Sequence, residues 1–291
     1  MKNGIYENLS IEDYHNEAEH FSASQLKAAA DTLKDFKYGL DTMGVYTRKK
    51  HFDFGNAFET ALMSIDTFDD CVAVFEETKV IDDIMAKRPE LKVPRNSKEY
   101  KEERAKFETE NDDKYQIVDY GEHSLEAIEA MVLSCSENAT IAGTLRGCGM
   151  QQSILWTDKA TGLNLKTRPD INKKNKGALV DIKTSRKSCS PYDVAGDIRD
   201  FRYWLQACIQ IKGALQAKLV TEDYIYLWLF VEKNPPFKAQ LYEFHKEDIT
   251  TAMAKTDEIL AKVATALKTN YYPGYEADAD NKYGILRAQI W

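Results

Sequence analysis

The sequence predicts an α/β fold in which a central mixed β-sheet is flanked by helices. Strand-like segments in the second half of the chain, and helical periodicity on either side of them, favour this class. A length of 291 residues with 43% hydrophobic residues is enough for a sizeable core. We therefore expect a single domain over residues 1–291, with its core at 150–268 and a tail at 269–291.

The N-terminal part, residues 1–66, is predicted to be helical. Ser24 is a candidate N-cap for a helix over 25–40, and a second helix is predicted over 54–63. Glu59 lies on this second helix, which we expect to bring its carboxylate toward the sheet.

A charged segment at 81–116 is predicted to be an exposed helical insertion, for which a solvated surface is the simplest interpretation. A lid or a substrate-facing arm is the alternative. Leu125, Ile128 and Val132 have helical spacing and predict a helix over 122–135 that packs on the sheet.

The predicted sheet occupies the second half of the chain. The segment 224–232 alternates aromatic and aliphatic residues, so both of its faces are apolar and a central position in the sheet is favoured. The expected order of elements is strands over 151–158, 163–171 and 179–184, a long helix over 192–219, strands over 224–232 and 239–245, and a closing helix over 248–267.

Charged side chains follow two of these strands. Lys166, Arg168 and Asp170 stand two residues apart and would share one strand face, while Asp181 and Lys183 would share one face of the next strand. Two converging carboxylates can hold a hard divalent cation, and a lysine beside them can orient water or stabilise a phosphoryl oxygen. The pattern favours metal-assisted phosphodiester hydrolysis, although an ordinary solvated strand face would have the same pattern.

The long helix adds polar residues that could face the same site. Tyr203, Gln206 and Gln210 stand at i, i+3 and i+7, on one helical stripe. Pro-Asp, Asp-x-Lys and Tyr-x-x-Gln in this order resemble the PD-(D/E)xK nuclease superfamily, whose core is restriction-endonuclease-like, and more narrowly the RecE (exonuclease VIII) nuclease domain. Further segments that resemble this family in order and spacing are 21–27, 54–62, 156–170 and 272–275.

The resemblance implies a metal site. Asp170 and Asp181 would bind Mg²⁺ or Mn²⁺, as two ions, with the backbone carbonyl of Ile182 as a further ligand, and Lys183 would position the attacking water. Glu59 stands where relatives of the RecE type usually carry a histidine. A carboxylate suits Mg²⁺ at least as well, so we expect Glu59 to be a ligand, with a hydrogen-bonding or surface role as the alternative.

The resemblance also implies contacts with DNA. Tyr203 and Gln206 would touch the DNA backbone or steady the catalytic lysine. Gln151 stands where a glutamate is expected, so it could weaken one metal site or bind DNA. The predicted DNA-binding residues are Arg168, Lys166, Arg186, Thr184 and Gln151.

The implied function is a metal-dependent deoxyribonuclease that digests linear duplex DNA from the 5′ end in phage or prophage recombination. Relatives form homo-oligomeric rings, and a single-strand annealing protein is the implied partner. An endonuclease or a single-strand-preferring nuclease would share the same metal site. A catalytically inactive DNA-end-binding protein is a further alternative, which the intact set of Asp170, Asp181 and Lys183 disfavours.

Composition limits the other classes. A formal net charge of −8 argues against a protein that coats nucleic acid, yet 166–187 holds eight basic against two acidic residues. The five cysteines are scattered, so we expect no iron–sulfur cluster, and the sequence contains no glycine-rich nucleotide loop. The chain shows no signal peptide or long apolar run, and we expect a cytoplasmic protein without membrane contact.

Overall fold

The computed structural model of the chain describes residues 1–47, 49–146, 149–150, 152–173 and 177–275. The predicted contact of Gln151, and residues 276–291 of the predicted tail, lie outside these ranges.

The strands carry the labels β1 to β11 in chain order. Their bounds are Gly4–Tyr6, Phe21–Ser22, Val72–Phe75, Tyr115–Val118, Gly149–Met150, Ser153–Thr157, Asn164–Thr167, Ile171–Lys173, Ala178–Ser185, Ile225–Glu232 and Ala239–Glu243.

The helices carry the labels α1 to α12 in chain order. Their bounds are Ile11–Asn16, Ala23–Ala29, Leu33–Asp41, Asp53–Met63, Phe68–Cys71, Glu77–Lys87, Lys98–Glu110, Leu125–Glu137, Ala139–Leu145, Pro191–Asp200, Tyr203–Gln216 and Lys246–Thr269. None of the helices in the described residues is long and apolar enough to cross a membrane.

A mixed sheet lies at the centre of the fold. Among the described residues its strand order is β11-β10-β9-β8-β5, with β9 and β10 parallel and the other neighbours antiparallel. A second sheet has the order β1-β6-β7-β2, and β3 pairs with β4. The predicted class, an α/β fold with a central mixed sheet flanked by helices, is confirmed.

The core lies on both sides of β10, because this strand is apolar on both faces. Tyr226, Trp228 and Phe230 pack into a cluster with residues of α11 and α12. Leu229 and Val231 pack into a second cluster with residues of α4 and α8. The predicted burial of this strand on both faces is confirmed, and the two clusters fix the helices that frame the site.

The predicted strand over 163–171 is wrong, because the chain divides it between two sheets. β7 ends at Thr167 and pairs with β6, whereas β8 begins at Ile171 and pairs with β9. Pro169 lies between them, and a proline has no N–H to donate to a strand ladder. Lys166 and Asp170 therefore do not share one face of one strand, and Arg168 lies in the connection.

Two long predicted helices are also wrong, each being divided in two. Ser22, rather than Ser24, caps α2, with its hydroxyl accepting from Gln25 N at 3.4 Å. Thr32 then caps α3, with its hydroxyl accepting from Asp35 N at 3.0 Å. Cap residues offer the backbone a partner that competes with helix continuation. The helix predicted over 192–219 is interrupted at Arg202, whose φ is 52°.

The remaining helix predictions agree with the structure at the level of a few residues. α4 and α8 match the helices predicted over 54–63 and 122–135. The charged segment 81–116 is helical through parts of α6 and α7, but its last two residues, Tyr115 and Gln116, belong to β4, which pairs with β3.

Gly213 provides a test of how closely α11 packs on the second sheet. A Cβ at this position would lie 2.8 Å from Cζ3 of the buried Trp156 and 3.1 Å from Cγ2 of Thr167. We expect Gly213→Ala to lower the free energy of unfolding by about 1–3 kcal/mol through overpacking. Gly39→Ala in α3 is the control, because its Cβ would meet no atom within 4 Å. We expect that change to be neutral or to stabilise by up to about 1 kcal/mol. Urea denaturation measures both, and equal behaviour of the two variants would contradict the packing.

Candidate active site

Asp181 and Lys183 form the centre of the site. Val180 and Ile182 pack into the cluster beneath α4 and α8, so alternation along β9 turns Asp181 and Lys183 toward α11. Lys183 Nζ lies 2.5 Å from Asp181 Oδ2. Although burial alone would lower it, the Asp181 carboxylate raises the pKa of Lys183. The lysine is therefore a fixed positive charge.

The polar stripe of α11 holds Asp181 in place. Gln206 Nε2 and Gln210 Nε2 donate to Asp181 Oδ1 at 2.9 and 3.1 Å. Tyr226 then donates from its hydroxyl to Gln210 Oε1 at 2.5 Å. Burial raises the pKa of Tyr226 well above its ordinary value, which keeps the phenol a donor. The helical spacing of Tyr203, Gln206 and Gln210 indicated Gln210 as a site residue from the sequence. The alternation along β10 indicated Tyr226 only as a core residue.

Lys27 on α2 is a second cation of the site, to which sequence reasoning gave no role. Its Nζ donates to Gln206 Oε1 at 3.1 Å and lies 5.0 Å from the ring centroid of Tyr203. Lys183 Nζ lies 4.8 Å from the same centroid. Burial, with the charge of Lys183, lowers the pKa of Lys27 to about 8. The sequence feature that could have identified Lys27 as a site residue is its position at the end of the segment 21–27, which resembles a motif of the family.

Asp170 lies where the pairing of β8 and β9 stops. Ile171 is the last residue of this pairing and stands opposite Val180. Beyond it, the backbone N–H of Ile182 donates to Asp170 Oδ2 at 2.7 Å. Burial raises the pKa of Asp170 well above its usual range, and the charges of Glu59 and Asp181 add to that effect. Negative charge is therefore concentrated around this carboxyl.

Glu59 reaches the site from α4. One turn earlier, a Cβ on Gly55 would lie 3.5 Å from Thr184 Oγ1, which shows how closely α4 crosses β9. The half-buried Glu59 raises the pKa of Asp170, so the two carboxylates interact. The structure thus brings Glu59, Asp170, Asp181 and Lys183 into one electrostatic group.

Two predicted DNA-binding residues, Lys166 and Arg168, make hydrogen bonds within the chain. Lys166 is 3% exposed, and its Nζ donates to the carbonyls of Tyr14 at 2.6 Å and Glu17 at 2.5 Å. Arg168 donates to Ser153 Oγ at 2.7 Å and to the carbonyl of Leu9 at 2.5 Å. These contacts tie the N-terminal segment to the second sheet.

Arg186 lies in a different environment, at the far end of β9. The register that pairs Glu232 with Ser185, and the bond from Lys233 N to the Ser185 carbonyl at 2.8 Å, place Lys233 beside the exposed Arg186. Lys233 Nζ and the ring of His123 both contact Phe54. Burial lowers the pKa of Lys233, and the charge of Arg186 lowers it further.

The basic side chains at this end of β9, the cations Arg186 and Lys233 and the imidazole of His123, are named the basic edge. Among the described residues, neither Arg186 nor Lys233 has a carboxylate partner in an ion pair. Burial and the charges of Lys233 and Arg186 lower the pKa of His123. Like charges held together disfavour each other, so an anion would stabilise the group.

The residues present suit a hard divalent cation in their chemistry. Within the described ranges, no three His, Cys, Asp or Glu side chains already stand as a preformed metal site. The donors are nevertheless all oxygens, and Asp181 Oδ2 is buried with Lys183 as its ion-pair partner. Burial raises the pKa of Asp170, and repulsion from Glu59 and Asp181 raises it further; a bound Mg²⁺ or Mn²⁺ would offset that repulsion. Glu59, Asp170, Asp181 and the Ile182 carbonyl are the groups that could hold it.

Comparison with known proteins agrees with this fold. A solved structure of a putative exonuclease from Eubacterium rectale is 13% identical, covering 98% of this chain and 96% of its own, with a TM-score of 0.55. The crystal structure of SSO0001 is 14% identical over 72% of this chain and 84% of its own, and its TM-score of 0.29 is too low to support a fold argument. No curated protein matches the sequence.

The family comparison covers most of the chain. Residues 22–281 match the model described as a PDDEXK-like domain of unknown function (DUF3799). The match spans the segment of Lys27, the helix of Glu59, both aspartates, Lys183 and the glutamines of α11. The chain belongs to this PDDEXK-like family and has a nuclease fold of the PD-(D/E)xK type.

Proposed function

We propose that the protein is a metal-dependent deoxyribonuclease that acts as a RecE-like 5′→3′ exonuclease on linear duplex DNA. The observation that carries the proposal is the arrangement of Asp170 and Asp181 around the end of the β8–β9 pairing, with Lys183 Nζ against Asp181. Paired carboxylates beside a fixed ammonium are suited to metal-assisted phosphodiester hydrolysis.

The side chains of this site would have distinct roles. Glu59, Asp170, Asp181 and the Ile182 carbonyl would hold Mg²⁺ or Mn²⁺, which supplies water activation and stabilises the leaving oxygen. Lys183 would donate to the attacking water or to a non-bridging phosphate oxygen. Gln206, with Gln210 behind it, keeps the Asp181 carboxylate oriented.

The second cation and the basic edge support DNA as the substrate. Lys27 and Lys183 both lie against the Tyr203 ring, where a backbone phosphate could approach them. Arg186 follows Lys183 by three residues and comes directly after the end of β9, which corresponds to about 10 Å of extended chain. Thr184 lies close to Gly55 of α4, on the opposite face of β9 from Lys183. A DNA strand that passes the end of β9 would meet positive charge at the site and again at Arg186.

End-labelled DNA tests the proposed activity and its polarity. A linear duplex labelled at either the 5′ or the 3′ end is incubated with the protein in Mg²⁺ or in EDTA, beside a closed circular duplex. We expect metal-dependent release of the 5′ label from linear DNA and no cutting of circles. Cutting of the circle would instead indicate an endonuclease. Preference for a denatured strand would indicate a single-strand nuclease, and DNA-end binding without cleavage would indicate an inactive binder.

A homo-oligomeric ring and a single-strand annealing partner, in phage or prophage recombination, complete the proposal. Light scattering of the purified protein, with and without duplex DNA, measures the subunit number. A monomer under both conditions would contradict the ring.

Gln210 provides a test of positioning within the site. Gln210→Leu removes one of the two amide donors to Asp181 and the acceptor of the Tyr226 hydroxyl. We expect kcat for metal-dependent cleavage to fall by about 10- to 100-fold, since groups that orient a metal ligand have effects of this size. Gln216→Leu on the same helix is the control, because the exposed Gln216 donates to the Thr157 carbonyl, away from Asp181. A wild-type rate in Gln210→Leu would contradict the role.

A further inference from the structure

Phe201 is a large apolar side chain exposed beside the site. It is 53% exposed and lies at the C-terminal end of α10, immediately before the junction with α11. Burial of its ring would be favourable, yet the fold leaves the ring in solvent. An exposed ring of this kind either binds a partner outside the chain or is an ordinary surface residue. The neighbours of Phe201 favour the first alternative.

The ring of Phe201 packs on a row of aromatic rings that begins in the core. Its centroid lies 5.6 Å from that of Tyr203, and Tyr203 lies 6.2 Å from the buried Phe230. Tyr203 is also the ring against which the Lys27 and Lys183 ammonium groups lie. Phe201 is thus the outer member of an aromatic row whose middle member contacts the catalytic lysine.

The junction that presents Phe201 is held in an uncommon backbone conformation. Arg202, the next residue, has φ 52° and ψ 42°, in the left-handed region that residues other than glycine rarely adopt. An ion pair between Arg202 and Asp31, which follows α2, secures this turn. Such conformations persist where the surrounding structure requires them, and they are concentrated at functional sites.

We propose that Phe201 is a stacking platform for an unpaired nucleobase of the DNA strand being cut. This inference rests on the proposed nuclease function and extends it, because it assigns a base-binding position next to the phosphate-binding cations. If Lys27 and Lys183 bind a phosphate, the base of the same nucleotide would lie within reach of the Phe201 ring. Aromatic rings stack on any base, so the contact would add affinity for a frayed or single-stranded end without sequence preference.

A cycle of protein and DNA changes tests the stacking. The DNA is a duplex with a short single-stranded overhang, either intact or with one abasic position moved along the overhang. The proteins are wild type, Phe201→Ala and Phe201→Trp. Tyr192→Ala is the matched control, since Tyr192 is 88% exposed at the other end of the same helix. Fluorescence anisotropy in EDTA gives Kd without hydrolysis, and cleavage rates are then measured in Mg²⁺.

We expect Phe201→Ala to raise Kd for intact DNA by about tenfold, the size of a typical base–aromatic stack, and Phe201→Trp to restore it. At one abasic position, wild type should weaken by the same factor and become equal to Phe201→Ala. Tyr192→Ala should match wild type throughout.

Equal affinity of wild type and Phe201→Ala for intact DNA would overturn the stacking. So would a Phe201→Ala variant that loses the same affinity, relative to wild type, on intact DNA and on every abasic DNA. Binding that follows the cycle without any cleavage in Mg²⁺ would overturn the nuclease function but keep the stacking position. Absence of DNA binding by wild type would overturn both.

Discussion

Lys183→Ala is expected to reduce metal-dependent DNA cleavage by about 10²- to 10³-fold, the cost of removing one preorganised charged donor from an active site. The Lys183 ammonium lies against the Tyr203 ring and forms an ion pair with the Asp181 carboxylate. Its loss removes the charge that would meet the attacking water or the phosphate oxygen. Single-turnover cleavage of a labelled linear duplex measures the effect.

The control for Lys183→Ala is Lys262→Ala. Lys262 pairs with Glu258 on the exposed surface of α12, at an N–O distance of 2.7 Å. Removing it changes the net charge by the same amount and should leave the cleavage rate near wild type, because such surface pairs contribute little. A similar rate in both variants would show that Lys183 does not take part in the reaction.

Lys166→Met is expected to lower the free energy of unfolding by about 3 kcal/mol, because it leaves buried carbonyls without their charged donor. Lys166 Nζ bonds to the carbonyls of Tyr14 and Glu17, near the C-terminal end of α1, and lies 5.0 Å from the Tyr14 ring centroid. Chemical denaturation compares the variant with wild type. The DNA-binding role predicted from the sequence would instead give weaker DNA binding with unchanged stability.

The pH dependence of this difference gives a second readout. Burial lowers the pKa of Lys166 from 10.5 to about 8, so between these values the unfolded state binds more protons than the folded state. Stability contributed by this group therefore rises as pH increases through that window. We expect the difference in unfolding free energy between wild type and Lys166→Met to grow with pH there. A constant difference would contradict a buried ammonium.

The centre of the site was predictable from local periodicity. Alternation along one strand placed Asp181 and Lys183 on the same face, and a helical stripe put Gln206 and Gln210 on one side of α11. Both patterns depend on neighbours within a few residues, which a sequence shows directly. The aromatic alternation of β10 predicted its burial for the same reason.

The remaining features depend on contacts between distant segments. Alternation put Lys166 and Asp170 on one strand, but a pattern of period two does not reveal that Pro169 divides the segment between two sheets. Lys27 reaches Gln206 across 179 positions of the chain, a separation at which residue spacing gives no signal. The break at Arg202 is held in part by its ion pair with Asp31, again a tertiary contact.

We propose that Glu59, Asp170, Asp181 and Lys183 form one metal-dependent site for DNA hydrolysis. The most direct measurement is the rate of cleavage of a labelled linear duplex as Mg²⁺ is raised from zero, for wild type, Asp181→Asn and Lys183→Ala, with EDTA as the blank. We expect cleavage by wild type to rise with Mg²⁺ and to saturate, and the rates of both variants to stay near the blank. Cleavage in EDTA, or variants that cut as fast as wild type, would contradict it.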